Sequence, residues 1–211
     1  MLRVLVVESD RQGASLAVRA LQDAGHTVLR CHDDDVAFPC NALVEGRTCP
    51  LDGDGVDVVY DHRSHPYPRP TAFEDGVSCA IRQHVPLVVG GTATLSPFEP
   101  WTMRTSGTTG DVVAACEAAA VARLTRLETP ALAEVRRRLE AASGAAEAAD
   151  VEIRRQGRRL AVTIHLPDGA PEIDEALAVA VAGVIRAHDR SSSQVDVAVQ
   201  REAAHRAPAA I

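Results

Sequence analysis

The chain has 211 residues, 46% of them hydrophobic and only 3% aromatic, with a formal net charge of −7 in which every one of the 22 basic residues is Arg. That length gives one large domain or two small ones, with a core built from Val, Leu, Ile and Ala. The first 128 residues hold 17 acids against 11 Arg, which disfavours nucleic acid as a partner; no apolar run approaches the roughly 20 residues of a membrane span, and Met1-Leu-Arg opens without a secretory leader, so a cytoplasmic location with five free thiols is expected.

The first stretch, Val4-Leu-Val-Val-Glu-Ser-Asp10, reads as a buried parallel strand over about 3–7 followed by a polar turn. A helix is expected over 11–24, with Ser9 or Asp10 as its cap and Gly25 as its stop. A second strand over 27–30 completes a right-handed βαβ unit. Residues 31–55 read as a long loop, because turn formers dominate Asp33-Asp-Asp35, Phe38-Pro-Cys40, Gly46-Arg-Thr-Cys-Pro50 and Asp52-Gly-Asp-Gly55. A third strand is expected over 56–60, ending on Asp61; then come a short helix over 74–84 and a fourth strand over 86–89 closed by Gly90-Gly91. Residues 92–110 read as loop. The Gly pair and Ser106-Gly-Thr-Thr-Gly110 could cradle a phosphate, although no Gly-x-Gly-x-x-Gly and no Walker Lys occur. A helix over 111–127 ends the first domain.

Thr129-Pro130 has the form of a new helix start, running to about 142. Alternating strands over 151–155 and 160–166, a helix over 172–188 and a strand over 194–199 follow, and residues 203–211 read as a flexible tail. The fold class expected is therefore α/β, a doubly wound and mostly parallel sheet over residues 1–128, followed by a small α+β domain of αββαβ order over 129–202.

The first domain resembles the receiver of two-component response regulators in three places: Glu8-Ser9-Asp10 after strand one, Asp61 after strand three, and Ser96-Pro-Phe98 ahead of a long helix. The resemblance implies an acidic pocket of Glu8, Ser9 and Asp10 that holds Mg²⁺ and an Asp61 that accepts phosphate. Several parts depart from it. Ser9 stands in the place of the second carboxylate, Gly91 at the switch hydroxyl with Thr92 one place later, and Ser96 where a receiver has Lys. The expectation is a receiver-like regulatory or scaffold protein that is not an enzyme, acts independently of phosphorylation and binds a protein partner. A phospho-accepting regulator at Asp61 is the alternative.

A second alternative comes from Cys40 and Cys49, with Cys31, His32, His62, His65 and Cys79 nearby in sequence. Thiolates and imidazoles are Zn²⁺ ligands, and the two Cys are equally readable as a labile disulfide or as structural thiols. The expectation is no cofactor, with Mg²⁺ or Zn²⁺ as the ions to test. In the second domain, the strand pattern is similar to alkaline-shock envelope-stress domains and, less closely, to BON domains, which implies an assembly module and a homodimer. Arg136, Arg137, Arg138, Arg154, Arg155, Arg158 and Arg159 form its basic clusters, either a patch for anionic partners or a solvated face balanced by neighbouring Glu.

Overall fold

In the computed structural model, which describes residues 1–11, 13–32, 40–52, 55–91, 95–106, 111–143, 149–189 and 191–202, the strands fall into two sheets. Five of them, β1 (Arg3–Glu8), β2 (Thr27–Leu29), β3 (Val58–Arg63), β4 (Leu87–Gly91) and β5 (Thr102–Ser106), form an all-parallel sheet in the order β2-β1-β3-β4-β5. Val4 to Val7 are all buried, as a central parallel strand covered on both faces requires. Successive residues point to opposite faces. Val4 and Val6 pack with Ala17 and Leu21 of α1 (Ser15–Asp23) and with Val112, Cys116 and Ala119 of α3 (Val112–Ser143). Leu5 and Val7 pack with Val77 and Ala80 of α2 (Asp75–Arg82), and with Cys31, Leu51 and Phe98. This part has an α/β fold.

Several local readings are corrected. α1 begins at Ser15 and not at 11, and neither Ser9 nor Asp10 caps it; the Ala14 N–H donates to Glu8 Oε2 at 2.9 Å, which sets a carboxylate at the helix N-terminus. Gly25, with φ +81°, does end it. β3 lies two residues later than expected and carries Asp61 inside the strand, paired with Val7 and Val89. A fifth strand occupies part of the segment read as loop. Its sequence, Thr-Met-Arg-Thr-Ser, has one apolar residue and shows no alternation to betray it; pairing with β4 on one side creates it.

The two helices expected around Thr129-Pro130 are one 32-residue helix with Pro130 inside it. The Thr129 hydroxyl donates back to the Thr125 carbonyl at 3.0 Å, so it bonds as an interior helical residue and not as a cap. The chain divides into two compact units within this helix, at Arg123 and Leu124. In the second unit the expected αββαβ order is observed. β6 (Asp150–Gln156) pairs antiparallel with β7 (Arg159–Pro167), and β8 (Gln194–Glu202) lies parallel to β7 on its other side after α4 (Asp174–His188). Leu160, Val162, Ile164 and Leu166 form the buried face of β7, against Val135 and Leu139 of α3 and Leu177, Val181 and Ile185 of α4. The tail, residues 203–211, lies outside the described residues. Among the described residues, no helix is long and apolar enough to cross a membrane.

A proline inside a helix loses one backbone bond and costs up to about 3 kcal/mol. Pro130→Ala is expected to stabilise the protein by a substantial part of that figure in urea denaturation. Two separate helices with Pro130 at a first position would instead show no gain.

Candidate functional site

In parallel sheets, sites form beyond the carboxyl ends of the strands, where neighbouring connections diverge to opposite sides. Here that place lies between β1 and β3, and it gathers Glu8, Ser9, Asp10, His62, Ser64, His65, Tyr67 and Thr71. Ser9 is buried, with its N–H on the His62 carbonyl at 2.9 Å and its hydroxyl donating to Asp10 Oδ2 at 2.8 Å. Asp10 also lies 3.2 Å from His65 Nδ1 and accepts from the Tyr67 hydroxyl at 3.1 Å. Burial raises the Asp10 carboxyl, but the bonds from His65, Ser9 and Tyr67 outweigh it and hold the group below its ordinary value. Glu8 pairs with Arg30 at 3.0 Å besides receiving the Ala14 N–H. Both expected pocket acids are therefore committed to protein partners.

Beneath this surface lies the cluster that sequence reasoning missed. Asp61, Arg63 and Glu74 are each fully buried. Asp61 and Arg63 share a face of β3 because they are two residues apart. Glu74 immediately precedes α2 and belongs to a capping box in which Thr71 N–H donates to Glu74 Oε2 at 2.6 Å. The other Glu74 oxygen accepts from Arg63 Nη1, and Arg63 Nη2 donates to the Tyr67 carbonyl at 2.7 Å. Asp61 Oδ2 stands 3.9 Å from Arg63 Nη1. The Thr71 hydroxyl donates to the Ser9 carbonyl at 3.0 Å and so ties the buried cluster to the surface acids. The signals were present as Thr71-x-x-Glu74 and as the i, i+2 spacing of Asp61 and Arg63, but neither spacing says that the two segments meet.

Two carboxylates and one guanidinium leave a net negative charge where water cannot screen it. With both acids ionised, neither Asp61 oxygen has a donor. A proton between Asp61 and Glu74 supplies one. Burial first, then the Glu74 charge, push the Asp61 carboxyl well above its ordinary value against the pull of Arg63.

The expected switch position is also explained by packing. Gly91 has φ +107°, and a Cβ there would stand 2.3 Å from the Arg63 carbonyl oxygen. Thr92 and residues 107–110 lie outside the described residues.

His62 and His65 do not join Cys40 and Cys49, a correction to that grouping. His62 sits beside the Tyr60 hydroxyl at 3.1 Å, and burial holds its imidazole below the ordinary value against the raising influence of Glu8 and Asp10. Cys40 and Cys49 instead line a cleft of about 440 Å³ with Cys31, Cys79 and His32. All five Cys of the chain are free thiols. Of the two readings of the basic clusters, the ion pairs agree with the face balanced by acids: Arg137 and Arg138 bond Glu134, Arg154 bonds Glu152, Arg159 bonds Asp196, and the Arg155 side chain is buried against Asp189. Arg158 stands near the β6–β7 turn, where its carbonyl accepts the Ser193 N–H at 2.8 Å, and Arg136 is exposed on α3. Among the described residues, no three His, Cys, Asp or Glu already surround one point as metal ligands would.

No family model matches this chain, and no curated protein matches it. The geometry is therefore the ground for a functional reading.

An acid whose value is raised by folding keeps its proton to higher pH in the native state, so stability falls as pH rises above the ordinary carboxylate value. The slope reaches about 1.4 kcal/mol per pH unit for one proton. Asn at position 61 presents an amide where the protonated acid stood. In urea denaturation Asp61→Asn is therefore expected to flatten the wild-type fall in stability that begins above the ordinary carboxylate value of about 4; parallel curves for the two proteins would sink the shared-proton account.

Proposed function

We propose that the first unit is a degenerate, doubly wound receiver-like module that takes no phosphate, performs no chemistry and acts through contact with a protein partner. The strand order β2-β1-β3-β4-β5 supports the likeness, since flavodoxin-like and receiver sheets use it. The observation that carries the reading is the complete burial of Asp61 beside Arg63 and Glu74. Phosphoryl transfer to a carboxylate needs an exposed oxygen and concentrated positive charge from metal and cation. Asp61 has no exposed oxygen, and its one adjacent guanidinium is already bonded to Glu74. The acids that would help hold Mg²⁺, Glu8 and Asp10, are engaged with Arg30, Ala14, His65 and Tyr67. The alternative, a phospho-accepting regulator, would require β3 to turn Asp61 out of the core.

A phosphate-affinity gel after treatment with acetyl phosphate and Mg²⁺ tests this. No shifted band is expected for wild type or Asp61→Asn. A wild-type band that disappears in Asp61→Asn would replace this reading with a phospho-accepting regulator.

The contact surface is proposed to include Trp101, 55% exposed just before β5, since exposed Trp often anchors partners. The second unit is proposed to pair copies of the chain. Its three-stranded sheet has two edges, β6 and the nine-residue β8, and unpaired strand edges recruit further strands. Sedimentation equilibrium is expected to return twice the 22.4 kDa chain mass; a single-chain mass at all concentrations would refute the dimer. A cytoplasmic setting belongs to the same proposal, as it fits five unpaired thiols.

A further inference from the structure

Four of the five cysteines of this chain line one cleft, to which the fold adds Cys79 of α2 beside Cys31, Cys40 and Cys49. Cys31 follows β2, Cys40 and Cys49 bracket a segment whose regular structure is one short 3-10 helix (Asn41–Leu43), and Cys79 lies on α2. The Asn41 N–H donates to the Cys31 carbonyl at 2.7 Å, and the Asn41 amide donates to the Arg30 carbonyl at 3.2 Å, which fastens the Cys40 segment beside Cys31. His32 lines the same cleft, and both its ring nitrogens are shielded from water with no hydrogen-bond partner. A buried imidazole normally has at least one partner, so this ring is a donor set in search of an acceptor or an ion. The remaining lining is apolar on the loop side, from Ala42, Leu43 and Leu51, and polar on α2, where Arg82 Nη2 donates to Cys79 Sγ at 3.7 Å near Asp75.

We propose that Cys31, Cys40, Cys49, Cys79 and His32 form a binding site for one thiophilic d¹⁰ cation, Zn²⁺ or Cu⁺. Thiolate and imidazole are the ligands that select these ions over Mg²⁺ or Ca²⁺. The site is independent of the receiver-like reading, since it uses none of the same residues. The cleft is wider than a single ion needs, so binding draws the 40–52 segment towards Cys31 and Cys79. Burial pushes the Cys31 thiol up to about 12, and it raises Cys49 as well. The Cys31 thiol is therefore protonated at neutral pH. Each protonated thiol that ligates releases its proton to buffer while its sulfur lone pair forms the metal bond, and no electrons are transferred. Metal binding is accordingly expected to tighten as pH rises.

The test uses the reduced full chain, titrated with Zn²⁺ in competition with a chromophoric chelator and, anaerobically, with Cu⁺ against a Cu⁺-specific chelator. One equivalent of at least one ion is expected to bind, with the count of thiols open to a disulfide reagent falling on binding. Cys40→Ser and Cys49→Ser, on the loop where folding is least at stake, should each weaken affinity at least about tenfold, since even changes one shell further out commonly do so. Cys116→Ser removes a buried thiol in the core on the other face of the sheet and should leave affinity unchanged. Tight binding of Zn²⁺ or of Cu⁺ alone identifies the ion. Failure of both ions to bind stoichiometrically, or equal affinity in Cys40→Ser, Cys49→Ser and Cys116→Ser, would overturn the proposal, and neither result bears on the phosphate-affinity gel.

Discussion

The guanidinium of Arg63, fully buried between the carboxylates of Asp61 and Glu74, fixes how β3, the 63–74 connection and the start of α2 come together. A charge in that position costs several kcal/mol in lost hydration and is tolerated only when its hydrogen-bonding groups are answered. Glu74 answers one nitrogen and the Tyr67 carbonyl another, while Nε has no partner; moving the connection would strip the two bonds that the buried charge does have. The same constraint reaches β4. Gly91 must be glycine because the backbone of Arg63 occupies the space a side chain would need.

This arrangement inverts the logic of a phosphoryl-accepting site. Such a site keeps a carboxylate exposed, ionised and surrounded by unspent positive charge. Here the central carboxylate is enclosed, its nearest cation is shared with a second acid, and the pair favours retaining a proton. The surface acids above it are linked inward, Asp10 through Ser9 and Thr71 to Glu74. The network ties a polar surface to a buried ionic cluster.

The thiol cleft sits on the α2 side of the sheet and has a different character. Its walls combine a core residue, Cys31, with side chains from a segment that has little regular structure. Thiols held neutral by burial are inert towards nucleophilic chemistry, whereas a cation can displace their protons. The first unit thus carries a polar face at the strand ends and a sulfur-lined cleft beside α2.

Much of the secondary structure was legible in the sequence. Continuous β-branched runs gave β1 and β4, alternation gave β7 and β8, and helical spacing gave α4, because these patterns reflect which side chains water excludes. The length of α3 and the existence of β5 were not legible. Pro130 after Thr129 reads locally as a start, yet packing of Ala131, Val135 and Leu139 into the second core carries the helix through it; β5 has almost no apolar signal and exists because β4 offers a paired edge. The site was half legible. Glu8, Ser9, Asp10 and Asp61 could be named from their places after strands, and Cys40, Cys49, Cys31 and Cys79 as a suspicious set. Which histidine joins the thiols, that Asp61 lies inside a strand, and that Arg63 and Glu74 enclose it depend on contacts between segments far apart in the chain. Local propensity and spacing determine which elements form; only the tertiary structure decides which charges are buried together, because that is set by the register of neighbouring strands and the place where a connection returns to the sheet.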